Sequence, residues 1–161
     1  MLLWFAGASV VIVWSVFQSP AIDYRMVVLG SVLPLADAVS GRAAVLHTLS
    51  ASVLVLGVVM LATRGRRLVR RRWIGLPIGM MLHLALDGIW ARAEVFWWPF
   101  FGVAFPPEQV PELMRGIAAP VVLEAIGAAC LVWVWSRFGL ADPDRRNALL
   151  RTGQLDRKLA R

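Results

Sequence analysis

The chain has 161 residues, of which 59% are hydrophobic and 17% charged, and it carries a formal net charge of +7. A soluble domain sits nearer about 45–50% apolar and about 25% charged, so an ordinary soluble globule is a poor fit. The basic residues fall in two blocks (Arg64, Arg66, Arg67, Arg70, Arg71 and Arg72, then Arg137, Arg145, Arg146, Arg151, Arg157, Lys158 and Arg161). Such blocks read as cytoplasmic anchors on anionic lipid, not as a nucleic-acid surface.

In chain order, the first apolar segment is Leu2 to Phe17, ended by Gln18-Ser19-Pro20. No basic residue precedes it, so a cleaved signal peptide is not expected. Asp23-Tyr24-Arg25 is a short polar connection. The second segment, Met26 to Val39, contains Gly30, Pro34 and Asp37. It is either a short tilted crossing or a re-entrant half-helix, since irregular backbone at membrane depth must be covered by protein or a cavity.

The third segment, Ala43 to Thr63, carries His47 one turn from its start. After the arginine block comes the fourth, Ile74 to Ala91, with Pro77 in its first turn and Gly75 and Gly79 spaced for close helix packing. Phe96-Trp97-Trp98-Pro99-Phe100-Phe101 suits a membrane interface. Pro106, Pro107 and Pro111 mark a loop, and the fifth segment runs from Gly116 to Trp135 with Glu124 inside it. Beyond it a polar tail holds a short surface helix over Arg145 to Leu155.

The expected fold is therefore all-α: a polytopic transmembrane helix bundle with four to five spans, one of them short or re-entrant. Residues 1–136 form the membrane domain and residues 137–161 a basic cytoplasmic tail. Placing both basic blocks in the cytoplasm gives five spans if the second segment crosses and four if it does not. Five is preferred because Arg25 then joins the cytoplasmic set.

His83 and Asp87 lie four residues apart in an apolar segment, so they share one helix face. A mid-helix carboxylate in a bilayer costs roughly 2.5–3.5 kcal/mol on insertion scales. Under the five-span topology Asp37, His47, His83, Asp87 and Glu124 all fall in one outer layer. Two imidazoles and two carboxylates suit a divalent metal, zinc first, with manganese and iron as alternatives. Asp37, His47, His83 and Asp87 are the expected metal ligands, and Glu124 the catalytic general base or supporting carboxylate. Trp97, Trp98 and Phe100 are the expected substrate entrance. The plain alternative is that His83 and Asp87 are a hydrogen-bonded packing pair, and that His47, Asp37 and Glu124 are interfacial, helix-end or buried polar groups. Cys130 is the sole cysteine, which leaves no internal disulfide and no cysteine metal motif.

These residues also carry a resemblance. Leu29-Gly30-Ser31-Val32-Leu33-Pro34-Leu35-Ala36-Asp37, Leu46-His47-Thr48-Leu49, His83-Leu84-Ala85-Leu86-Asp87 and Trp98-Pro99-Phe100 stand in order from residue 26 to 101. The chain thereby resembles the LexA-regulated, membrane-bound metal-dependent hydrolases of bacterial inner membranes. It departs from them at Leu35 and Ala38, where that family has an aspartate and often a histidine, and it has no histidine before His47. The departures leave ligands for at most one metal, or none.

The expectation is an inner-membrane, multi-pass, metal-dependent hydrolase with a cytoplasmic C-terminal tail. A site at that depth points to a lipid or lipid-linked phosphoester at the outer side, with Glu124 or, less well placed, Asp23 assisting. The alternatives are a non-catalytic membrane scaffold or partner subunit of an envelope complex, and an ion-conducting bundle. The partners expected are membrane lipid and, at the basic loop and tail, anionic lipid; no nucleic acid is expected.

Overall fold

The computed structural model describes residues 1–40, 45–104, 116 and 118–155, and these residues are all-α with no strand among them. Helix α1 (Leu2–Phe17) ends where Gln18 adopts φ 43° and returns its N–H to Trp14. Helix α2 (Tyr24–Val32) starts at Asp23, whose carboxylate accepts the N–H of Arg25. It then tightens into a 3-10 stretch, Leu33–Ser40. Pro34 interrupts the α-helix there: it has no N–H to give Gly30, and its ring crowds that carbonyl in a continued α-helix. The expected Met26–Val39 segment is therefore two pieces of different pitch.

His47 closes a separate 3-10 turn, Val45–His47, and helix α3 (Leu49–Ala62) begins only after Thr48. Thr48 is extended and its hydroxyl accepts the N–H of Ala51, an N-cap that sets the helix start later than the expected Ala43. Residues 43 and 44, the proline loop at 106–111 and the end of the tail lie outside the described residues. The arginine block holds helix α4 (Arg67–Trp73). Helix α5 (Gly75–Asp87) ends at Gly88, whose φ of 73° is the left-handed cap that glycine adopts at little cost. A 3-10 turn (Ile89–Ala91), helix α6 (Ala93–Phe96), helix α7 (Ala118–Arg137) and helix α8 (Pro143–Thr152) complete the chain.

Glycines set the two closest helix pairs. A Cβ at Gly30 would overlap the carbonyl of Leu76, and one at Gly79 the carbonyl of Val27. A Cβ at Gly75 would lie 2.8 Å from the carbonyl oxygen of Asp23. The register Asp23–Gly75, Val27–Gly79, Ser31–His83 makes α2 and α5 parallel. Gly7 and Gly127 do the same for α1 and α7, with Leu3 beside Gly127 at one end and Trp14 edge-on to Phe138 at the other. Helices α1, α3 and α7 thus run one way, and α2 and α5 the other.

One end of the bundle gathers the charged connections. Asp23 is buried and pairs with Arg25 at 2.7 Å and Arg72 at 3.5 Å. Tyr24 donates its N–H to Gly153 at 2.7 Å, and Arg25 reaches the carbonyl of Leu150 at 2.6 Å. Burial pushes the Tyr24 phenol up to about 12. Phe138, Leu140 and Leu155 join Val10, Val13, Trp14, Tyr24 and Val27 in one core cluster. Residues 138–155 are therefore packed on the helical body, and the 136/137 boundary falls inside α7. The surface is widely apolar: Leu61 is 73% exposed, Leu54 68% and Val132 64%. Only α7 among the described helices is both long and apolar enough to cross a bilayer; α1 and α3 are apolar but shorter.

Candidate metal centre

The opposite end of the bundle holds the acid and imidazole groups. His83 and Asp87 project from one face of α5, and His47 arrives from the turn before α3. All three are buried, and one ligand atom from each lies within 4.8 Å of the others. The imidazoles meet edge to face, their centroids 5.2 Å apart at 79°. Phe5 of α1 stacks on His83 at 4.0 Å and 29°, fixing the ring from the other side.

The hydrogen bonds define which nitrogen each ring turns inward. His83 Nδ1 lies 2.7 Å from the carbonyl oxygen of Ser31. A carbonyl only accepts, so Nδ1 carries a proton, and in the neutral ring the lone pair falls on Nε2. His47 Nδ1 lies 3.0 Å from Asp37 Oδ2, and the backbone N–H of His47 donates to the same oxygen at 3.2 Å. A carboxylate on Nδ1 again accepts a hydrogen bond from that nitrogen, which in the neutral ring leaves Nε2 as the ligating atom. Both histidines are held by their outer nitrogen, the arrangement that fixes tautomer and orientation in metal-binding imidazoles.

The structure thus assembles three of the four expected ligands, His47, His83 and Asp87, and gives the fourth a different post. Asp37 contacts the outer edge of His47 through Oδ2, where it orients the ring. Glu124, expected as a catalytic group, does not join the cluster. Its Oε2 accepts the N–H of Leu3 at 2.8 Å and of Trp4 at 3.2 Å, and Oε1 lies 3.1 Å from the Met1 amino nitrogen. The first amides of a helix lack intrahelical acceptors, and a carboxylate answers both that need and the helix dipole. Asp23 is at the far end with Arg25 and Arg72.

The aromatic turn lies against the start of α3: Ser50 Oγ donates to the carbonyl of Trp98 at 2.5 Å, three residues after His47. Trp98 is half-buried and its indole N–H reaches the carbonyl of Val103 at 3.0 Å, while Trp97 and Phe100 are exposed. Two contributors carry no obvious sequence signal, the Ser31 carbonyl and Phe5. The first could have been sought from Pro34, which removes the backbone donor at that turn; the second is one apolar residue in an apolar helix.

The chain matches no family model, no curated protein and no solved structure.

Two imidazoles and a carboxylate, all buried and converging within 4.8 Å, fit a divalent ion that takes nitrogen and oxygen donors. Three protein ligands are also the number that leaves a catalytic zinc one position for another molecule.

Proposed function

We propose that this is a multi-pass inner-membrane protein whose His47, His83 and Asp87 hold one divalent ion, zinc first, for hydrolysis of a lipid or lipid-linked phosphoester. The observation that carries the reading is the convergence of His47, His83 and Asp87 within 4.8 Å, with the two Nδ1 atoms engaged by Ser31 and Asp37. A zinc ion there would supply Lewis acidity toward a phosphoryl oxygen. Asp37 would keep His47 in its ligating tautomer, and Phe5 would hold His83 flat and exclude water. Trp97 and Phe100, exposed beside the first turn of α3, suit a lateral approach from the bilayer.

The membrane reading is supported by α7, only 11% of whose apolar window is covered by the rest of the protein. Helices α1, α2, α3, α5 and α7 alternate in direction, as five successive spans would. In that topology Arg25, the arginine block and the tail face the cytoplasm, and the metal centre lies toward the outer side. The four motifs shared with the LexA-regulated hydrolases agree in order with this reading.

A second reading has its own observation. Glu124 is committed to the start of α1, and the three ligands are 0–1% exposed. With Glu124 engaged elsewhere and Asp37 on the Nδ1 of His47, the same cluster would fasten α3 to α5 in a non-catalytic scaffold of an envelope complex. Metal analysis and phosphoesterase assay of the purified protein separate the two. Metal with turnover supports the hydrolase, and metal that stabilises without turnover supports the scaffold. No metal at all overturns the metal-dependent reading.

A further inference from the structure

A groove of about 460 Å³ runs between α3 and α4, lined by Leu54, Val58 and Val59 of α3, Val69 and Trp73 of α4, and Leu76 of α5. Its volume falls in the range of small-molecule sites, about 300–1,000 Å³. Thr63, the polar residue on its wall, donates its hydroxyl to the carbonyl of Val59 at 2.6 Å, so it offers the groove no donor. Arg70 stands on α4 between the groove residues Val69 and Trp73, and Arg66 caps the start of that helix, its carbonyl accepting the N–H of Arg70 at 3.0 Å. Two cationic residues therefore flank the α4 wall of the groove, next to Val69 in the helix and at the helix start.

Their charge is not balanced locally. No acidic residue occurs between Asp37 and Asp87 in the sequence. Among the described residues, no carboxylate pairs with Arg66 or Arg70; the α4 arginine that does find one is Arg72, beside Asp23 on the opposite face of the helix. An apolar trough with two such cations in the segment that forms its α4 wall, and an indole in its lining, is complementary to a molecule with a long hydrocarbon chain and an anionic head.

We infer that this groove binds one anionic glycerophospholipid, with an acyl chain along Leu54, Val58 and Val59 and the phosphate at Arg66 and Arg70. The inference rests on the membrane reading above but not on the metal centre. It differs from general attraction of the basic block to a charged surface, because it demands a discrete site with both an apolar and a cationic half.

Native mass spectrometry of the full chain, released from detergent with phosphatidylglycerol or phosphatidylcholine, tests it. The expected result is one retained phosphatidylglycerol, held in clear preference to phosphatidylcholine. Arg66→Gln with Arg70→Gln should weaken phosphatidylglycerol retention by roughly fivefold per arginine. Ala62→Phe, which fills the trough, should reduce retention of both lipids, and Arg151→Gln in α8 should change neither. Equal retention of the two lipids by the unaltered protein overturns the proposal, as does an unchanged preference in the double arginine variant. Membrane fractionation beforehand keeps the failures apart. A chain recovered without membranes defeats the membrane reading itself, whereas a membrane-extracted chain with no lipid preference defeats only the groove.

Discussion

His83 Nδ1 and the carbonyl oxygen of Ser31 are 2.7 Å apart, and this bond joins the backbone of α2 to the imidazole of α5 at the level of the His47, His83 and Asp87 cluster. It depends on the glycine contacts one turn below, where Gly30 and Gly79 bring the two helices together. The centre is therefore a product of backbone packing as much as of its own side chains.

Gly79→Ala should separate α2 from α5, because its Cβ would overlap the carbonyl of Val27. The expected loss is about 1–3 kcal/mol of stability, accompanied by weaker zinc binding. Gly57→Ala in α3, where a Cβ meets nothing within 4 Å, should be neutral or slightly stabilising. Thermal unfolding of both variants, with and without added zinc, makes the comparison. Equal effects at the two sites would contradict the packing account.

Asp37 and His83 should respond differently to substitution. His83→Ala removes a ligand and should abolish zinc binding. Asp37→Asn keeps an oxygen for the His47 Nδ1–H but removes the charge, and should lower zinc affinity about 10–100-fold without changing the stoichiometry. Competition against a chelating dye measures both. Loss of stoichiometric binding in the asparagine variant would make Asp37 a direct ligand.

The contrast marks what sequence alone can reveal. The i, i+4 spacing of His83 and Asp87 placed them on one face, and the Gly75/Gly79 spacing anticipated the close packing. The limits Leu2 and Phe17 coincide with α1 because the apolar run is bounded by a polar turn. The edge of His47 that meets Asp37 was not legible, because residue type gives a carboxylate's presence and not its direction. The contacts of Glu124 were not legible for a related reason. An acid in an apolar helix signals that something must satisfy it, but its partners, the amides of Leu3 and Trp4, lie about 120 residues away in sequence. The packing of residues 138–155 on the bundle was hidden because its ties, from Tyr24 to Gly153 and Arg25 to Leu150, are made largely to backbone atoms.

Glu124→Ala should therefore act on stability and not on metal. Removing an acceptor from the first amides of α1 costs about 0.5–2 kcal/mol in comparable caps. Zinc stoichiometry should be unchanged. A variant that kept its unfolding midpoint but lost zinc would return Glu124 to the metal centre.

Tyr24 gives a pH-dependent check of how the C-terminal segment is packed. It is the only tyrosine, so the phenolate absorbance of the chain reports on it alone. Its pKa is raised to about 12 by burial, above the ordinary value of 10. The folded state thus holds the phenolic proton more tightly than the unfolded state does. The resulting stability is fully present below pH 10 and is lost as the pH rises through about 12. Titration should show a single midpoint near the raised value in the folded protein and near the ordinary one in denaturant. Tyr24→Phe should remove this part of the alkaline destabilisation.

X-ray absorption at the zinc edge of the full-length, zinc-loaded protein tests the central claim most directly. The account predicts about one zinc per chain with two imidazole nitrogens at about 2.0–2.1 Å and the remaining shell made of oxygen. The nitrogen signal should be lost in His83→Ala. A shell containing sulfur, a shell of oxygen alone, or no stoichiometric zinc would contradict it.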